Sequence, residues 1–227
     1  MRKKIVFFTG AGISIESNIF GFRTKGGLWL NHKIEDVCTP LGWQKNKKLV
    51  LDFYNTLRKE LLTKSPNDAH LLVAELEKYY DVSVVTQNVD NLHEKAGSTN
   101  VIHLHGELFK SRSTLDPTLT YHTTEDINIG DKCEKGSQLR PHVVFFSEQI
   151  FNFDKAYTTI TSADIFIIIG TSLNVAPASD MIHWTSAKDI YCIDPSDMNT
   201  LPRRITHIKE KATVGMKILM DELVKNK

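Results

Sequence analysis

Amide, carboxylate and imidazole side chains cluster in two neighbouring segments of this 227-residue chain. Gln87, Asn88 and Asp90 follow one short apolar run, and His105 precedes a glycine at the end of the next. Open α/β sheets bind ligands at the carboxyl ends of their strands, where these residues would lie. An amide beside a carboxylate can hold a ribose diol and a carboxamide, and a neutral imidazole can take a proton from a hydroxyl near pH 7. The combination predicts chemistry on a bound nucleotide.

Two glycine-containing turns, residues 10–12 and residues 170–172, follow two further apolar runs. Main-chain N–H groups at such a turn, together with Ser14, can hold phosphates at the start of a helix. The third glycine of the usual dinucleotide fingerprint is absent, since Ile15 stands in its place. A simple tight turn therefore remains an alternative for the first segment.

Three histidines near the amide and carboxylate segment are interpreted differently. His103 and His105 are two residues apart, so alternation along a strand places both on the same face and does not choose between them. The glycine after His105 is the only local hint that its ring faces a cleft. His93 is expected inside a helix with a structural hydrogen bond.

Composition indicates an ordinary soluble enzyme, with 41% hydrophobic and 24% charged residues. A net charge of +1 without a basic run argues against nucleic acid or an anionic membrane as partner. Three scattered cysteines argue against a disulfide framework and for a reducing compartment. No run approaches the ~20 apolar residues that span a bilayer. We therefore expect a cytosolic protein, with a monomer as the default state.

Short apolar runs alternate with amphipathic patterns and predict an α/β fold, a Rossmann-like parallel sheet with helices on both faces. Helical spacing of apolar residues occurs in Leu49–Leu62, in a segment that opens at Pro66 with Asn67 or Ser65 as cap, and in Val214–Val224. The predicted buried strands are Ile5–Phe8, Val82–Val85, Val143–Phe146, Ile165–Ile169 and Ile190–Ile193, and Val101–His105 is predicted as a half-covered strand.

Two regions interrupt the alternation of strands and helices. They span residues 21–63 and 108–140, and the second is polar and rich in turn residues. We interpret both as insertions that together form a smaller module beside the sheet. The Rossmann-like nucleotide-binding domain would then comprise residues 1–20, 64–107 and 141–227.

Six motifs occur in the order seen in one enzyme family. They lie at residues 10–14, 17–29, 86–93, 103–106, 143–146 and 170–173. From about residue 5 to about residue 215 the chain resembles the sirtuins, the NAD-dependent protein-lysine deacylases, and it looks most similar to their compact bacterial members. The resemblance implies transfer of the acyl group of a modified lysine, in a protein or peptide, to ADP-ribose with release of nicotinamide.

The resemblance also implies roles for individual residues. His105, rather than His103, would be the catalytic base, and Asn88 would position the nicotinamide ribose and the attacking acyl oxygen. The acylated lysine would be bound by Tyr54, Arg58, Val144 and Phe146. The cofactor NAD would be bound by Gly10, Ala11, Gly12, Ser14, Phe22, Arg23, Gln87, Asn88, Asp90, Gly170, Thr171, Ser172 and Asp194.

Several positions depart from the family pattern. Most relatives have four zinc-binding cysteines in the smaller module, whereas here Ser113 stands at the first position and Cys133 is the only cysteine of that region, so we predict no zinc. Asn18 replaces a glycine, and asparagine tolerates positive φ, so the turn is expected to survive. Ser147 replaces the glycine before Glu148 and is expected to alter the fit of the substrate.

Acyl preference stays open at the level of sequence. Relatives that remove succinyl or malonyl groups have a tyrosine and, three residues later, an arginine on one helix. Here Tyr54 is present, Leu57 occupies the later position and Arg58 follows it. Arg58 would share a helix face with Tyr54 and reach an acidic acyl group, or it is a solvated surface residue, which we favour slightly.

Two other functions remain as alternatives. The same site would support NAD hydrolysis or ADP-ribosyl transfer, although the 143–146 segment favours a peptide substrate. A non-catalytic NAD-binding or ADP-ribose-binding module is the alternative of another class. Such a module would be expected to have lost Asn88 or His105, and both are present.

Overall fold

The computed structural model describes residues 2–19, 32–171, 178–198, 201–202 and 204–225. Three of the predicted cofactor-binding residues, Phe22, Arg23 and Ser172, lie outside the described residues. The described strands are β1 Lys4–Thr9, β2 Asp81–Thr86, β3 Val101–His103, β4 Gly106–Ser113, β5 Thr120–His122, β6 Leu139–Val143, β7 Ile165–Ile169, β8 Asp189–Ile193 and β9 Thr206–Ile208. The α-helices are α1 Ile34–Val37, α2 Pro40–Lys45, α3 Lys47–Leu62, α4 Asp68–Glu75, α5 Leu92–Ala96, α6 Phe153–Thr161, α7 Ala178–Trp184 and α8 Ala212–Lys225, with 3-10 helices at Ala11–Ser17 and Leu76–Lys78.

Six parallel strands form the main sheet in the order β3-β2-β1-β7-β8-β9. One face of this sheet packs against α4 and α8, and the other packs against α6 and α7. Both faces of the central strands are therefore covered, which explains why β1 and β7 are apolar at nearly every position. The predicted Rossmann-like fold is confirmed, and four of the predicted buried strands correspond to β1, β2, β7 and β8.

A second, antiparallel sheet has the strand order β5-β4-β6. It shares a hydrophobic cluster with α1, α2 and α3, as an insertion module beside the main sheet would. One prediction is wrong here: Val143–Phe146 is not a buried parallel strand. β6 ends at Val143 and pairs antiparallel with β4. Of the apolar residues that follow, Phe145 is buried against Tyr54 of α3. The predicted domain boundaries stay a proposal.

Asparagine side chains cap the first turns of α3 and α4. Asn67 accepts from main-chain N–H at the start of α4 and pairs with His70 in a capping box, so of the two predicted caps the asparagine is the one used. Asn46 caps α3 by accepting from Leu49 N–H at 3.0 Å. Asn18 ends the first 3-10 helix at φ 57°, so the predicted left-handed turn is confirmed. No helix in the described part of the chain is long and apolar enough to cross a membrane.

The ends of β1 and β7 meet through glycines. Gly10 N–H donates to the carbonyl of Ile169 at 3.0 Å, and Gly12 N–H donates to the carbonyl of Gly170 at 2.8 Å. Gly170 itself adopts φ 62°, a left-handed conformation that disfavours other residues. A Cβ on Gly12 would lie 2.8 Å from the Gly170 oxygen, and one on Gly10 would lie 2.7 Å from it. The two loops can approach this closely only without side chains.

Gly12→Ala should lower the free energy of unfolding by about 2–3 kcal/mol, because the added methyl group overlaps the opposite main chain. Gly136→Ala is the matched control. Its φ of 74° is positive, unlike that of Gly12, but nothing lies within 4 Å of an added Cβ, so only about 1 kcal/mol of backbone strain is expected. Urea denaturation measures both. Equal losses in the two variants would contradict the close approach of the loops.

Ser147→Gly should raise the free energy of unfolding by about 0.5–1 kcal/mol. Ser147 has φ 72°, where a Cβ is strained, and the removal of that strain exceeds the entropy that a glycine adds to the unfolded chain. Ser196→Gly, in an exposed loop and outside the set of positive-φ residues, should instead be destabilising. A destabilised Ser147→Gly variant would show that this serine makes contacts worth more than its strain.

Candidate active site

The predicted site residues lie along one edge of the main sheet. β1 ends at Thr9, β2 at Thr86 and β7 at Ile169, and parallel strands put these carboxyl ends together. Gln87 N–H donates to the Thr9 carbonyl at 2.9 Å, which extends the hydrogen bonding between β1 and β2 one residue beyond β2. The turn after β1, the segment after β2 and the residues after β3 therefore lie at the same edge of the sheet.

Asn88, Asp90 and Ser14 form one hydrogen-bonded group. The Asn88 amide nitrogen donates to the Gly10 carbonyl at 3.1 Å and to the Ser14 hydroxyl oxygen at 3.3 Å. Ser14 in turn donates to Asp90 Oδ2 at 3.0 Å, while Asp90 Oδ1 accepts from Leu92 N–H. All three polar side chains are more than nine-tenths buried. The interactions fix the orientation of the Asn88 amide, and its Oδ1 makes no hydrogen bond to any described residue.

Burial raises the pKa of Asp90, although the hydrogen bonds from Leu92 N–H and the Ser14 hydroxyl oppose this shift. A carboxyl group in this environment is more easily protonated than a solvated one. It can therefore accept a hydrogen bond from an amide as the carboxylate or donate one as the acid. Either form suits a neutral carboxamide better than a second anion.

His103 and His105 occupy different environments, which the alternation of the strand did not distinguish. His103 is buried with both ring nitrogens paired, Nδ1 to the Asn88 carbonyl and Nε2 to Glu94, each at 2.8 Å. Burial alone would lower the pKa of His103, but the hydrogen bond and the charge of Glu94 outweigh burial and raise it. His103 is therefore a structural residue in this arrangement.

His105 is half-buried, and burial lowers its pKa, with a partly opposing hydrogen bond to the carbonyl of Gln87. Gly106 directly after it has φ 87° and lies against the main chain of His142, so the chain turns away at this point. A neutral imidazole can accept a proton on its unprotonated nitrogen. This is the arrangement that a general base requires.

The segment after β6 lies beside His105. Val144 N–H donates to the His105 carbonyl at 2.9 Å, and Phe146 N–H donates to the Cys38 carbonyl at 2.8 Å. The Phe145 ring between them is buried, whereas the Phe146 side chain is 51% exposed. Residues 144–146 thus connect the edge of the main sheet with the smaller sheet and its helices, and they present Phe146 to solvent.

The surface interpretation of Arg58 is wrong. Arg58 is 1% exposed, and its guanidinium donates to the carbonyls of Leu108 and Glu125 and to the side chain of Asn55. Its remaining Nη2 is also buried and makes no hydrogen bond to a described residue. The alternative contact with an acidic acyl group is not favoured either, because the guanidinium is directed at main chain inside the smaller module.

Tyr54, the other predicted acyl-binding residue of α3, is buried. Its hydroxyl lies 2.9 Å from Cys38 Sγ, and its ring stacks on Phe145. Burial raises the pKa of the Tyr54 hydroxyl well above its ordinary value, so it stays neutral. Tyr54 therefore packs against the 144–146 segment through the ring of Phe145.

The glycine turn differs from the expectation in one respect. The N–H groups of Gly10 and Gly12, expected to donate to phosphates, donate instead to main-chain carbonyls at the end of β7. Ala11 between them is exposed. Thr171 is buried beside the turn, and Asp194 follows β8, where its Oδ1 accepts from Ser196 N–H at 2.9 Å. All of these residues border the same edge of the sheet.

Two functional candidates were missed from the sequence. Thr9 and Thr86 end β1 and β2 as register partners, both are fully buried, and their hydroxyl groups are 2.8 Å apart. His93 Nε2 lies 3.1 Å from the Thr9 hydroxyl, so its predicted structural hydrogen bond is confirmed. The sequence feature that could have identified them is a threonine at the last position of each of two neighbouring apolar strands.

The residues of the smaller module do not fit the tetrahedral zinc site of most relatives. Cys133 Sγ donates to the Ser113 hydroxyl oxygen at 3.3 Å, and Ser113 also accepts from two N–H groups of its own turn. Asp116 forms an ion pair with Lys135 at 2.7 Å. One thiol and one hydroxyl do not provide four zinc ligands. Within the described ranges, no group of three or more His, Cys, Asp or Glu side chains could hold a metal ion.

Comparison with known proteins identifies relatives along nearly the whole chain. An NAD-dependent protein deacylase of Helicobacter pylori strain 26695 is 48% identical over 226 residues, which cover 98% of this chain and 98% of the relative. An NAD-dependent protein deacylase of Bacteroides thetaiotaomicron is 45% identical, again covering 98% of each chain.

Solved structures agree with these sequence matches. A Sir2 homolog in complex with NAD is 35% identical with a TM-score of 0.87, covering 99% of this chain and 91% of the other. A mutant Sir2 homologue in complex with ADP-ribose is 34% identical with a TM-score of 0.88, covering 99% and 93%. The family model described as "Sir2 family" matches residues 10–177, well over half of the chain. The chain belongs to the Sir2 family.

Proposed function

We propose that this chain is an NAD-dependent protein-lysine deacylase, which transfers an acyl group from lysine to ADP-ribose and releases nicotinamide. The observation that carries the proposal is the shared position of Asn88, Asp90 and His105 at one sheet edge, next to a segment hydrogen-bonded to His105. The names of the relatives from Helicobacter pylori and Bacteroides thetaiotaomicron support this activity.

The donor set of the cleft fits the cofactor. A buried amide, a buried carboxyl group and a half-buried imidazole suit a carboxamide and ribose hydroxyls, and among the described residues no buried lysine or arginine side chain lies with them. When bound, NAD supplies the bond between nicotinamide and ribose and, once that bond is broken, the hydroxyl that accepts the acyl group. The residues proposed to hold it are Gly10, Ala11, Gly12, Ser14, Phe22, Arg23, Gln87, Asn88, Asp90, Gly170, Thr171, Ser172 and Asp194.

Each side chain then has a defined task. Gly10 and Ser14 orient the Asn88 amide. Its Oδ1, which makes no hydrogen bond to a described residue, then aligns the ribose with the acyl group. Asp90 holds the nicotinamide carboxamide, and His105 removes a proton from a ribose hydroxyl at neutral pH. These alignments convert an encounter of two substrates into a step between neighbouring groups.

The acylated peptide is proposed to bind along residues 144–146 in extended form, in the manner of an added strand. Val144 is tied to His105 through its main chain, so a lysine that passes this point lies close to the base. The exposed Phe146 offers an apolar wall for the lysine stem. We further propose a monomer in a reducing, cytosolic compartment, in keeping with three free, buried cysteines.

His105→Ala should reduce turnover of an acetylated peptide with NAD by ~10²-fold or more, because the base for the ribose hydroxyl is lost. Mass spectrometry of the peptide and release of nicotinamide are measured together. Wild-type turnover in the variant would rule out His105 as the base.

His122→Ala is the control for that substitution, since His122 is exposed on β5 in the smaller module, and full activity is expected. The two readouts also separate the alternative functions. Nicotinamide release without a change in peptide mass would identify NAD hydrolysis or ADP-ribosyl transfer. NAD binding with neither product would identify a non-catalytic module.

A neutral acyl group is the proposed substrate, because the position that carries arginine in desuccinylating relatives is Leu57. Leu57 packs against the cluster that contains Tyr54 and Phe145. Two cations lie over aromatic rings of that cluster, Lys47 over Trp43 and Arg140 over Phe145, and Arg140 forms an ion pair with Glu148 at 2.7 Å. The Arg58 guanidinium is already committed to carbonyl oxygens. An acidic acyl group at this place would therefore lose its hydration without gaining the arginine that Leu57 replaces.

Wild-type protein should accordingly have a kcat/KM at least about tenfold higher for an acetylated than for a succinylated peptide. Leu57→Arg should reverse or remove that preference. Leu62→Arg adds the same charge at an exposed position of α3 and should leave the ratio unchanged. A wild-type preference for the succinylated peptide would contradict the assignment of Arg58 to a structural role.

A further inference from the structure

A chain of buried polar side chains lies beneath Asn88. The Thr9 hydroxyl donates to the Thr86 oxygen at 2.8 Å, and that oxygen also accepts the N–H of Asn88 at 3.1 Å. The Thr86 hydroxyl has the Thr9 carbonyl as its own acceptor, at 3.4 Å. Both threonines are fully buried. The hydrogen-bonded pair of hydroxyl groups ends on the main chain of Asn88.

Donation from Thr9 to Thr86 would define where His93 carries its proton. His93 Nε2 lies 3.1 Å from the Thr9 oxygen, and the single hydroxyl hydrogen of Thr9 is already donated to Thr86. In that arrangement the imidazole is the donor, with its proton on Nε2 and none on Nδ1. Burial, together with the neighbouring His70 and His103, lowers the pKa of His93 well below its ordinary value, so the ring is neutral.

His93 does not face the cleft. Its ring is 2% exposed and lies edge-on to His70, with ring centres 4.9 Å apart. Its Nδ1 is buried and makes no hydrogen bond to any described residue. An unpaired buried nitrogen destabilises a fold, so stability alone does not account for a histidine here. Within the described part of the chain, the one hydrogen bond of its ring is the bond to Thr9.

His103 meets Asn88 from the opposite side. Its Nδ1 donates to the Asn88 carbonyl, and Glu94 accepts from Nε2. The N–H and the carbonyl of Asn88 are thus both held by side chains, in a segment between β2 and α5 that has no regular secondary structure. An amide held at both main-chain groups has little freedom except rotation of its side chain, which Gly10 and Ser14 restrict.

We propose that His93 is a positioning residue, which acts through the hydroxyl groups of Thr9 and Thr86 to hold the main chain of Asn88 in its working position. The inference rests on the proposed function, in which Asn88 aligns the reacting groups. Since His93 touches neither substrate, its loss should slow the reaction of bound substrates and leave their binding nearly unchanged.

Histidine ¹⁵N–¹H correlation spectra test the first half of the inference without any substrate. His93 should be neutral and protonated on Nε2 at pH 7, and Thr9→Val should shift its Nε2 resonance. An Nδ1-protonated or a charged His93 ring at pH 7 would overturn the proposal. This measurement does not depend on whether the chain is a deacylase.

Kinetics on an acetylated peptide with NAD test the second half. His93→Leu and Thr9→Val should each lower kcat about tenfold while both KM values stay within about twofold. Because both changes break one chain, the double variant should be no slower than either single variant. His93→Gln, whose side-chain amide can donate to Thr9, and Thr9→Ser should recover most of the lost kcat.

Independent effects that multiply to about a hundredfold, or a glutamine variant as slow as the leucine variant, would overturn the proposal. Thr9→Val changes shape least, so it keeps the test available if His93→Leu does not fold. If the wild-type chain releases no product, the proposed function fails. Coupling between the two substitutions in urea denaturation would then still decide whether His93 and Thr9 act as one chain.

Discussion

The contact between the Gly10–Gly12 turn and Gly170 is the constraint on which the rest of the site depends. It lets the loops after β1 and β7 approach until their main chains hydrogen-bond, with no room for side chains between them. The 3-10 helix that follows the first turn carries Ser14, and the Ser14 hydroxyl forms hydrogen bonds with the side chains of Asn88 and Asp90. A wider separation of the two loops would move Ser14 and release both partners.

Environment, rather than residue type, separates the three histidines near the site. Burial keeps His93 neutral, the neighbouring Glu94 raises the pKa of His103, and half-burial lowers the pKa of His105. His93 and His103 are tied to protein groups, whereas the ring of His105 borders the cleft. α5 supplies His93, and β3 with the residues directly after it supplies His103 and His105. His105 is the candidate base, and the other two histidines are the candidate supports of Asn88.

Apolar runs and caps could be predicted, because burial on both faces of a parallel sheet and hydrogen bonding at a helix start are local rules. β1, β2, β7 and β8, the Asn67 cap and the left-handed Asn18 all follow from such rules. Distant contacts could not be predicted. Arg58 is buried because carbonyl groups fifty or more residues away accept its hydrogen bonds. The 143–146 run is not part of the main sheet, because Val143 and Phe145 pack in the hydrophobic cluster of the smaller module.

The most direct measurement of this account is a crystal structure of the chain with ADP-ribose. We expect the pyrophosphate beside residues 10–12, the ribose between Asn88 and His105, and a ribose hydroxyl about 2.6–3.2 Å from a ring nitrogen of His105. A nucleotide bound elsewhere, or a His105 ring turned away from the ribose with His103 in its place, would contradict the assignment of the base and of the cleft.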